Sequence, residues 1–267
     1  MSSKPSEPYR LVVSNQKGGV GKSTIALNVA GALSERGNDV LLVDLDPQGY
    51  LTSGAGYKDR YTEEGTSLAD ALKAPNEHTV SELTIPHNEF DFLPANIGMF
   101  TLEQDLVSAM QGRKRLKMLL EDVTGYDFLV VDCPPSLGLL TDNALLACEN
   151  LLIPAEAEDT SIRALDLLFK QVDSLEGNFS DASINEQAIV VSNVDYPLDS
   201  EQRGMLEWFE NQFSEFIPVF EVRNRAAIKR AWNNGHSIFG HDEECDMEDE
   251  LLSIAAYFED EARGDVE

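Results

Sequence analysis

Two lysines five residues apart flank a glycine-rich turn in VVSNQKGGVGKSTIALNVAG, residues 12–31. A turn built on Gly18, Gly19 and Gly21 lets backbone N–H groups converge on phosphate oxygens, and a helix opening at Lys22 adds its positive end. In such a loop Lys22 reaches the β and γ phosphates of a nucleotide and the Ser23 hydroxyl ligates Mg2+. The pattern GxxxxGK[ST] is met at Gly21, Lys22 and Ser23, but Gln16 stands where its first glycine belongs. The candidate nucleotide-contacting set runs from Lys17 through Gly18, Gly19, Val20, Gly21, Lys22 and Ser23 to Thr24, with ATP and Mg2+ as the expected cofactors. An ordinary phosphate loop needs only the second lysine, so Lys17 calls for a role of its own.

Three acids stand where they could serve such a loop. Asp44 and Asp46 end an apolar run two residues apart, so both side chains point to one side at a strand's carboxyl end, where α/β sheets place ligands. Asp132 follows the apolar residues FLVV, as an aspartate does when it holds a Mg2+-bound water. Pro134 and Pro135 stiffen the chain after it and Gly138 frees it again, which suits a segment that senses the terminal phosphate.

Behind these residues, short apolar strands alternate with helical stretches. YRLVVSN (9–15) runs into the glycines, a helix is predicted from Lys22 to about Arg36 with Gly37 ending it, and DVLLVDLD (39–46) is the next strand. Further strands are predicted at 90–95, 126–135, 150–155, 187–194 and 217–222, with helices over 101–120, 161–175 and 200–213. Strands that are apolar throughout indicate a sheet covered on both faces. The fold class is therefore α/β, a three-layer sandwich around a mostly parallel sheet, read as a single domain over 1–267 with a flexible N-terminus at 1–8 and an acidic C-terminal helix at 241–267. Residues 54–66 are expected to be a mobile loop.

The segments KGGVGKST, VLLVDLDPQG and DFLVVDCPPSLGLLTDNAL, in this order, resemble the ParA/MinD family of deviant Walker-type P-loop ATPases, and the second and third are similar to its ParA (Soj-like) branch. The resemblance covers roughly residues 9 to 240. It implies a weak ATPase that dimerises on ATP, binds DNA nonspecifically, and positions plasmid, chromosome or protein cargo with a ParB-like partner stimulating hydrolysis. It gives Lys17 the role of a signature lysine that crosses the dimer interface to the partner's nucleotide, neutralising charge as an arginine finger does. It implies that Asp46 orients or activates the attacking water and that Asp44 lies near the metal, beside Ser23 and Asp132. Asn193, ending IVVSN, is similar to a position that contacts adenine, although a turn-forming asparagine fits the same place. The alternative within the family is a MinD-like spatial regulator working through protein partners or membrane.

Composition bears on these alternatives. The 267 residues carry 48 acids against 20 bases, a formal charge of −28, and the acids run through the interior as well as the C-terminus, so halophilic adaptation is expected. The stretch EDELLSIAAYFEDEARGDVE can form an amphipathic helix, but anionic lipid repels it, so no membrane anchoring is expected. No apolar run is long enough for a membrane span, and the N-terminus has no signal-peptide core, which points to a cytoplasmic and, by resemblance, nucleoid-associated protein. Bases concentrate in RKRLK (Arg113, Lys114, Arg115, Lys117) and RNRAAIKR, where Arg223, Arg225, Lys229 and Arg230 are the candidate DNA contacts. A solvated face pairing with nearby acids is the other reading of both islands. Cys133, Cys148 and Cys245 have no metal or disulfide spacing, which argues against a cluster-carrying relative, and the scattered His78, His87, His236 and His241 carry no expected metal role.

Overall fold

The computed structural model describes residues 7–264. In chain order the elements are β1 (Tyr9–Val13), α1 (Lys22–Glu35), β2 (Val40–Asp44), α2 (Tyr50–Gly54), a 3-10 turn (Lys58–Thr62), α3 (Leu68–Lys73), α4 (Val80–Leu83), β3 (Ile85–Pro86), β4 (Asp91–Leu93), α5 (Met99–Ser108) and α6 (Arg115–Leu119). They continue with β5 (Phe128–Asp132), α7 (Leu139–Cys148), β6 (Asn150–Glu156), α8 (Thr160–Asn178), β7 (Asn185–Val194), α9 (Ser200–Phe213), β8 (Val219–Arg223), α10 (Ala226–Asn233) and α11 (Glu248–Arg263).

The strands form one sheet in the order β3-β4-β2-β5-β1-β6-β7-β8. Every neighbouring pair is parallel except the short β3, which runs antiparallel to β4. Successive strand residues feed opposite faces. Val12, Leu41, Val43, Leu129 and Val131 pack under α3 and α5 to α9, whereas Leu11, Val13, Leu42, Phe128 and Val130 pack under α1, α10 and α11. These are the two cores of a three-layer sandwich, and they explain why the strand sequences show no polar alternation.

Order β2-β5-β1 brings the carboxyl ends of three strands side by side, with Asp44 opposite Asp132 and Val13 opposite Asp132 on the other side. The loop after β1 and the acids after β2 and β5 thus open into one crevice.

Several local expectations change. The predicted helix 101–120 is two helices, because the chain turns back between α5 and α6. Gln111 takes φ 54°, and a Cβ on Gly112 would lie 2.1 Å from the Leu106 carbonyl oxygen. Residues 54–66, expected to be a loop, carry the end of α2 and the 3-10 turn, and the Tyr61 hydroxyl donates to Pro47 O at 2.6 Å. The acidic helix starts at Glu248, not 241, with Glu248, Asp249 and Glu250 at its positive end. Its apolar residues Leu251, Ile254, Ala255 and Phe258 are buried in the core beside α1, so that face is not available to a lipid surface. Residues 1–6 of the expected flexible N-terminus, and 265–267 of the expected helix, lie outside the described residues. Among the described residues no helix is long and apolar enough to cross a membrane.

Two glycine contacts join α2 to the far side of α10. A Cβ on Gly54 would lie 2.2 Å from the Trp232 ring, and one on Gly235 would lie 3.0 Å from Gly56 Cα.

Candidate functional site

The loop between β1 and α1 is held by the buried side chains of Asn15 and Ser192 and by the exposed Asn193. Asn15 donates from Nδ2 to Pro154 O at 2.7 Å and accepts the Lys17 N–H at 3.0 Å. Ser192 Oγ donates to Val20 O at 2.7 Å, and Asn193 Nδ2 lies 3.2 Å from Gly19 O. Gly19 and Gly21 take φ 85° and 77°, a left-handed backbone that glycine adopts without strain. Gly21 is the N-cap of α1 with no side-chain cap, and the first turn carries no acid. The first N–H groups of a 14-residue helix therefore remain free to meet an anion.

Lys22 lies at the base of this turn, 6% exposed, its Nζ donating to Lys17 O at 3.0 Å. Burial pushes its pKa down, while the charge of Asp132 opposes the shift. Asp132 itself is fully buried, and neither of its carboxylate oxygens has a hydrogen-bond partner. Burial pushes its pKa well up and Asp44 adds to the effect, against the nearby Ser23 hydroxyl and Lys22. An unpartnered carboxylate in a protein interior is expensive unless a cation completes it. Asp132 with Ser23 is a hard oxygen donor set that fits a divalent cation such as Mg2+, whose remaining positions water and phosphate oxygens fill.

Asp44 and Asp46 are placed differently from Asp132. Asp44, expected near the metal, is adjacent to Asp132 in register, but its Oδ2 accepts Thr52 N–H at 2.7 Å and Thr52 Oγ1–H at 2.6 Å, and its Oδ1 accepts Asp46 N–H at 3.1 Å. Both oxygens are engaged within the acid turn, which Asp44 buttresses. Burial raises its pKa to about 7 against those bonds. Asp46 is 4% exposed and its Oδ1 accepts Gln48 N–H at 2.9 Å, which fixes the turn that Gly49 completes at φ 62°. Burial raises its pKa, opposed by that hydrogen bond and by Lys22.

Lys17 is held by two carboxylates beside the loop. Its Nζ lies 2.8 Å from Glu156 Oε2 and 2.6 Å from Glu158 Oε2, at the end of β6 and just beyond it. Burial pulls its pKa down, but the hydrogen bonds it donates to Glu156 and Glu158 outweigh burial and leave it raised. Glu156 also accepts from Asn193 Nδ2 at 3.0 Å, so the two carboxylates, Lys17 and Asn193 form one polar strip beside the turn. Sequence reasoning missed Glu156 and Glu158; their signal was two acids at the end of an apolar strand beside the phosphate loop.

Asn193, the penultimate residue of β7, takes φ 56°. It borders a cleft of about 90 Å³ next to the loop, which Gly21, Thr24, Arg223, Arg225 and Lys229 also line. Three of the four expected DNA contacts thus border the nucleotide loop. Arg223 Nε donates to Glu221 at 2.7 Å, Arg225 forks onto Asp246 at 2.6 and 2.7 Å, and Arg230 forks onto Glu243. Lys229 has no ion pair among the described residues. The first island is engaged in the same way: Arg113 with Asp142, Lys114 with Asp181, Lys117 with Glu149, and Arg115 on Lys73 O. Six of the eight bases in the two islands thus already hold a carboxylate. Cys133 and Cys148 are buried and Cys245 is half-buried, with burial raising each thiol's pKa.

The AAA domain family matches residues 10–185. The cell division protein PomZ of Myxococcus xanthus is 36% identical over 84% of this chain and 70% of its own length. The sporulation initiation inhibitor protein Soj of Bacillus subtilis is 39% identical over 61% of this chain and 64% of its own. Among solved structures, cobyrinic acid a,c-diamide synthase from Mycobacterium smegmatis, with bound ATP analog and magnesium, superimposes with a TM-score of 0.75 at 25% identity, covering 96% of both chains.

Proposed function

From the premise that this chain belongs to the ParA/MinD family of P-loop ATPases, on its partition branch, we propose that it is an ATP-gated positioning ATPase that works as a nucleotide-sandwiched homodimer. The observation that carries the reading is Asp132, buried with both oxygens unpartnered beside Ser23 and Lys22 at the mouth of the glycine turn. The backbone N–H groups from Gly18 to Lys22 and the free end of α1 bind the phosphates of ATP, and Lys22 compensates charge on the β and γ groups. Ser23 and Asp132 hold Mg2+, which when bound neutralises phosphate charge. Asp46, fixed by Gln48 N–H, orients the attacking water.

Lys17 acts in trans. To reach a second subunit's nucleotide it must leave Glu156 and Glu158, so the dimer forms only when phosphate charge competes successfully with two carboxylates. That competition keeps the intrinsic turnover weak. A ParB-like activator then raises it, and cargo placement follows from the alternation of monomer and dimer in a cytoplasmic, nucleoid-associated cycle. Chains with Lys17→Ala should bind ATP as monomers and hydrolyse none. Wild-type turnover in that variant overturns the reading.

DNA attachment through Arg223, Arg225, Lys229 and Arg230 is the finer part of the proposal. A second reading, control through protein partners alone, is favoured by the carboxylates that already occupy Arg223, Arg225 and Arg230. ATP-dependent retention on DNA at high KCl, with Arg225→Ala plus Lys229→Ala as control, separates the two. The charge of −28 supports a salt-rich cytoplasm as the setting. Full stability without KCl would remove that part.

A further inference from the structure

Away from the nucleotide crevice, the hairpin joining β3 to β4 carries His87 and Glu89, and the connection from α10 to α11 carries His236. One nitrogen from each imidazole and one Glu89 oxygen all lie within 4.8 Å of one another. We propose that His87, Glu89 and His236 form a binding site for a divalent late first-row cation, best matched by Zn2+, which ties the hairpin to the α10–α11 connection.

Two imidazoles and one carboxylate, with the fourth position left to water, are a recurrent three-ligand set for zinc. The surrounding contacts suit it. His87 Nε2 lies 2.9 Å from Gly235 O and donates to it, which leaves the lone pair on Nδ1. A metal-bound histidine characteristically donates its other N–H to a backbone carbonyl in this way. That Nδ1 accepts the Glu89 N–H at 3.2 Å, a long contact that a cation would replace. Stacking on Phe90, with ring centroids 4.3 Å apart, fixes the His87 ring plane.

His236 Nδ1 is the second independent observation. It is buried without a hydrogen bond, although Glu89 Oε1 lies 3.4 Å away. Glu89 is oriented in turn by Ser237, whose N–H donates to Oε1 at 3.1 Å and whose hydroxyl donates to Oε2. Ser237 can reach it because α1 presents Gly31 there, where a Cβ would lie 2.1 Å from Ser237 Oγ. The ligand atoms are thus held by two separate segments before any ion binds, and a cation would join residues nearly 150 positions apart, which is where a cross-link constrains the unfolded chain most.

The test uses the full chain, stripped with chelator and then saturated with Mg2+ so that the nucleotide crevice is filled. Isothermal titration with ZnCl2 should show one Zn2+ per chain that excess Mg2+ does not displace, and a higher melting temperature with Zn2+. His87→Gln and His236→Gln should each weaken Zn2+ binding by at least roughly tenfold, with Mg2+–nucleotide binding and the far-ultraviolet spectrum unchanged. Zinc-edge X-ray absorption on the unmodified chain should report two imidazole ligands, a readout that does not depend on a variant folding. Absence of Zn2+ binding, binding unchanged in both variants, or a purely oxygen ligand shell overturns the site and leaves His236 with Glu89 as an ordinary ion pair.

Discussion

The phosphate crevice and the basic stretch 223–230 are neighbours, yet they treat charge in opposite ways. In the crevice, Lys22 and Asp132 are both buried, Lys22 donating to the Lys17 backbone carbonyl rather than to a carboxylate and Asp132 having no hydrogen-bond partner on either oxygen. In the basic stretch, Arg223, Arg225 and Arg230 stand at the surface and each already holds a carboxylate. The first pattern costs stability in the empty protein and is recovered when a ligand of both signs arrives. The second is close to neutral in the free chain and must be undone before any phosphate backbone can be held. Local concentration of one charge type is therefore a poorer guide to a binding site than the absence of partners.

The contrast breaks most sharply at Lys22. Lys22→Ala should reduce ATP turnover by a factor on the order of 10² or more, measured as phosphate release, while a surface lysine such as Lys170 replaced by alanine leaves it unchanged. Asp132→Asn is next. It should abolish Mg2+-dependent nucleotide binding and, in the absence of ligand, raise the melting temperature by roughly 2–4 °C for each kcal/mol of buried charge relieved.

The same carboxylates set the pH dependence of the unliganded fold. Asp44 is raised to about 7 and Asp132 is shifted in the same direction. The native state therefore keeps protons that the unfolded chain has lost, and these two groups make stability fall as pH rises from about 4 toward 7. Thermal melts across that window should show the fall in wild type and a shallower one in Asp132→Asn. A flat wild-type profile would mean that these carboxylates are not buried in solution.

Smaller effects test the paired side. Releasing Lys17 with Glu156→Gln and Glu158→Gln should lower the ATP concentration that half-saturates dimer formation several-fold, the scale of partly exposed ion pairs; sedimentation velocity measures it. Asp246→Ala should change folding stability by no more than about 1 kcal/mol. It should nevertheless increase ATP-dependent retention on DNA, because it frees Arg225. If retention falls, the carboxylate is not masking the arginine.

Much of this was legible in the residues themselves. The glycine turn, Lys22 and the two-faced sheet follow from strand composition and spacing, because those are local properties. The partner choices were not legible, because they depend on which strand ends meet. Nothing in the order of residues shows that Thr52 satisfies Asp44 while Asp132 is left alone, or that Glu156 and Glu158 capture Lys17 across more than a hundred positions. The break between α5 and α6 was hidden for a related reason: the backbone leaves helical geometry at Ala109 (ψ 142°) and Gln111 (φ 54°), residue types that do not by themselves end a helix.

The contact of bare Gly54 with the Trp232 ring has a mechanical consequence. α2 begins four residues after Asp46, and Trp232 sits three residues after Lys229, so the acid turn and the helix bearing Lys229 are joined by a contact with no slack. A tilt of the helix bearing Lys229 cannot be absorbed at Gly54 and is passed on toward the turn bearing Asp46.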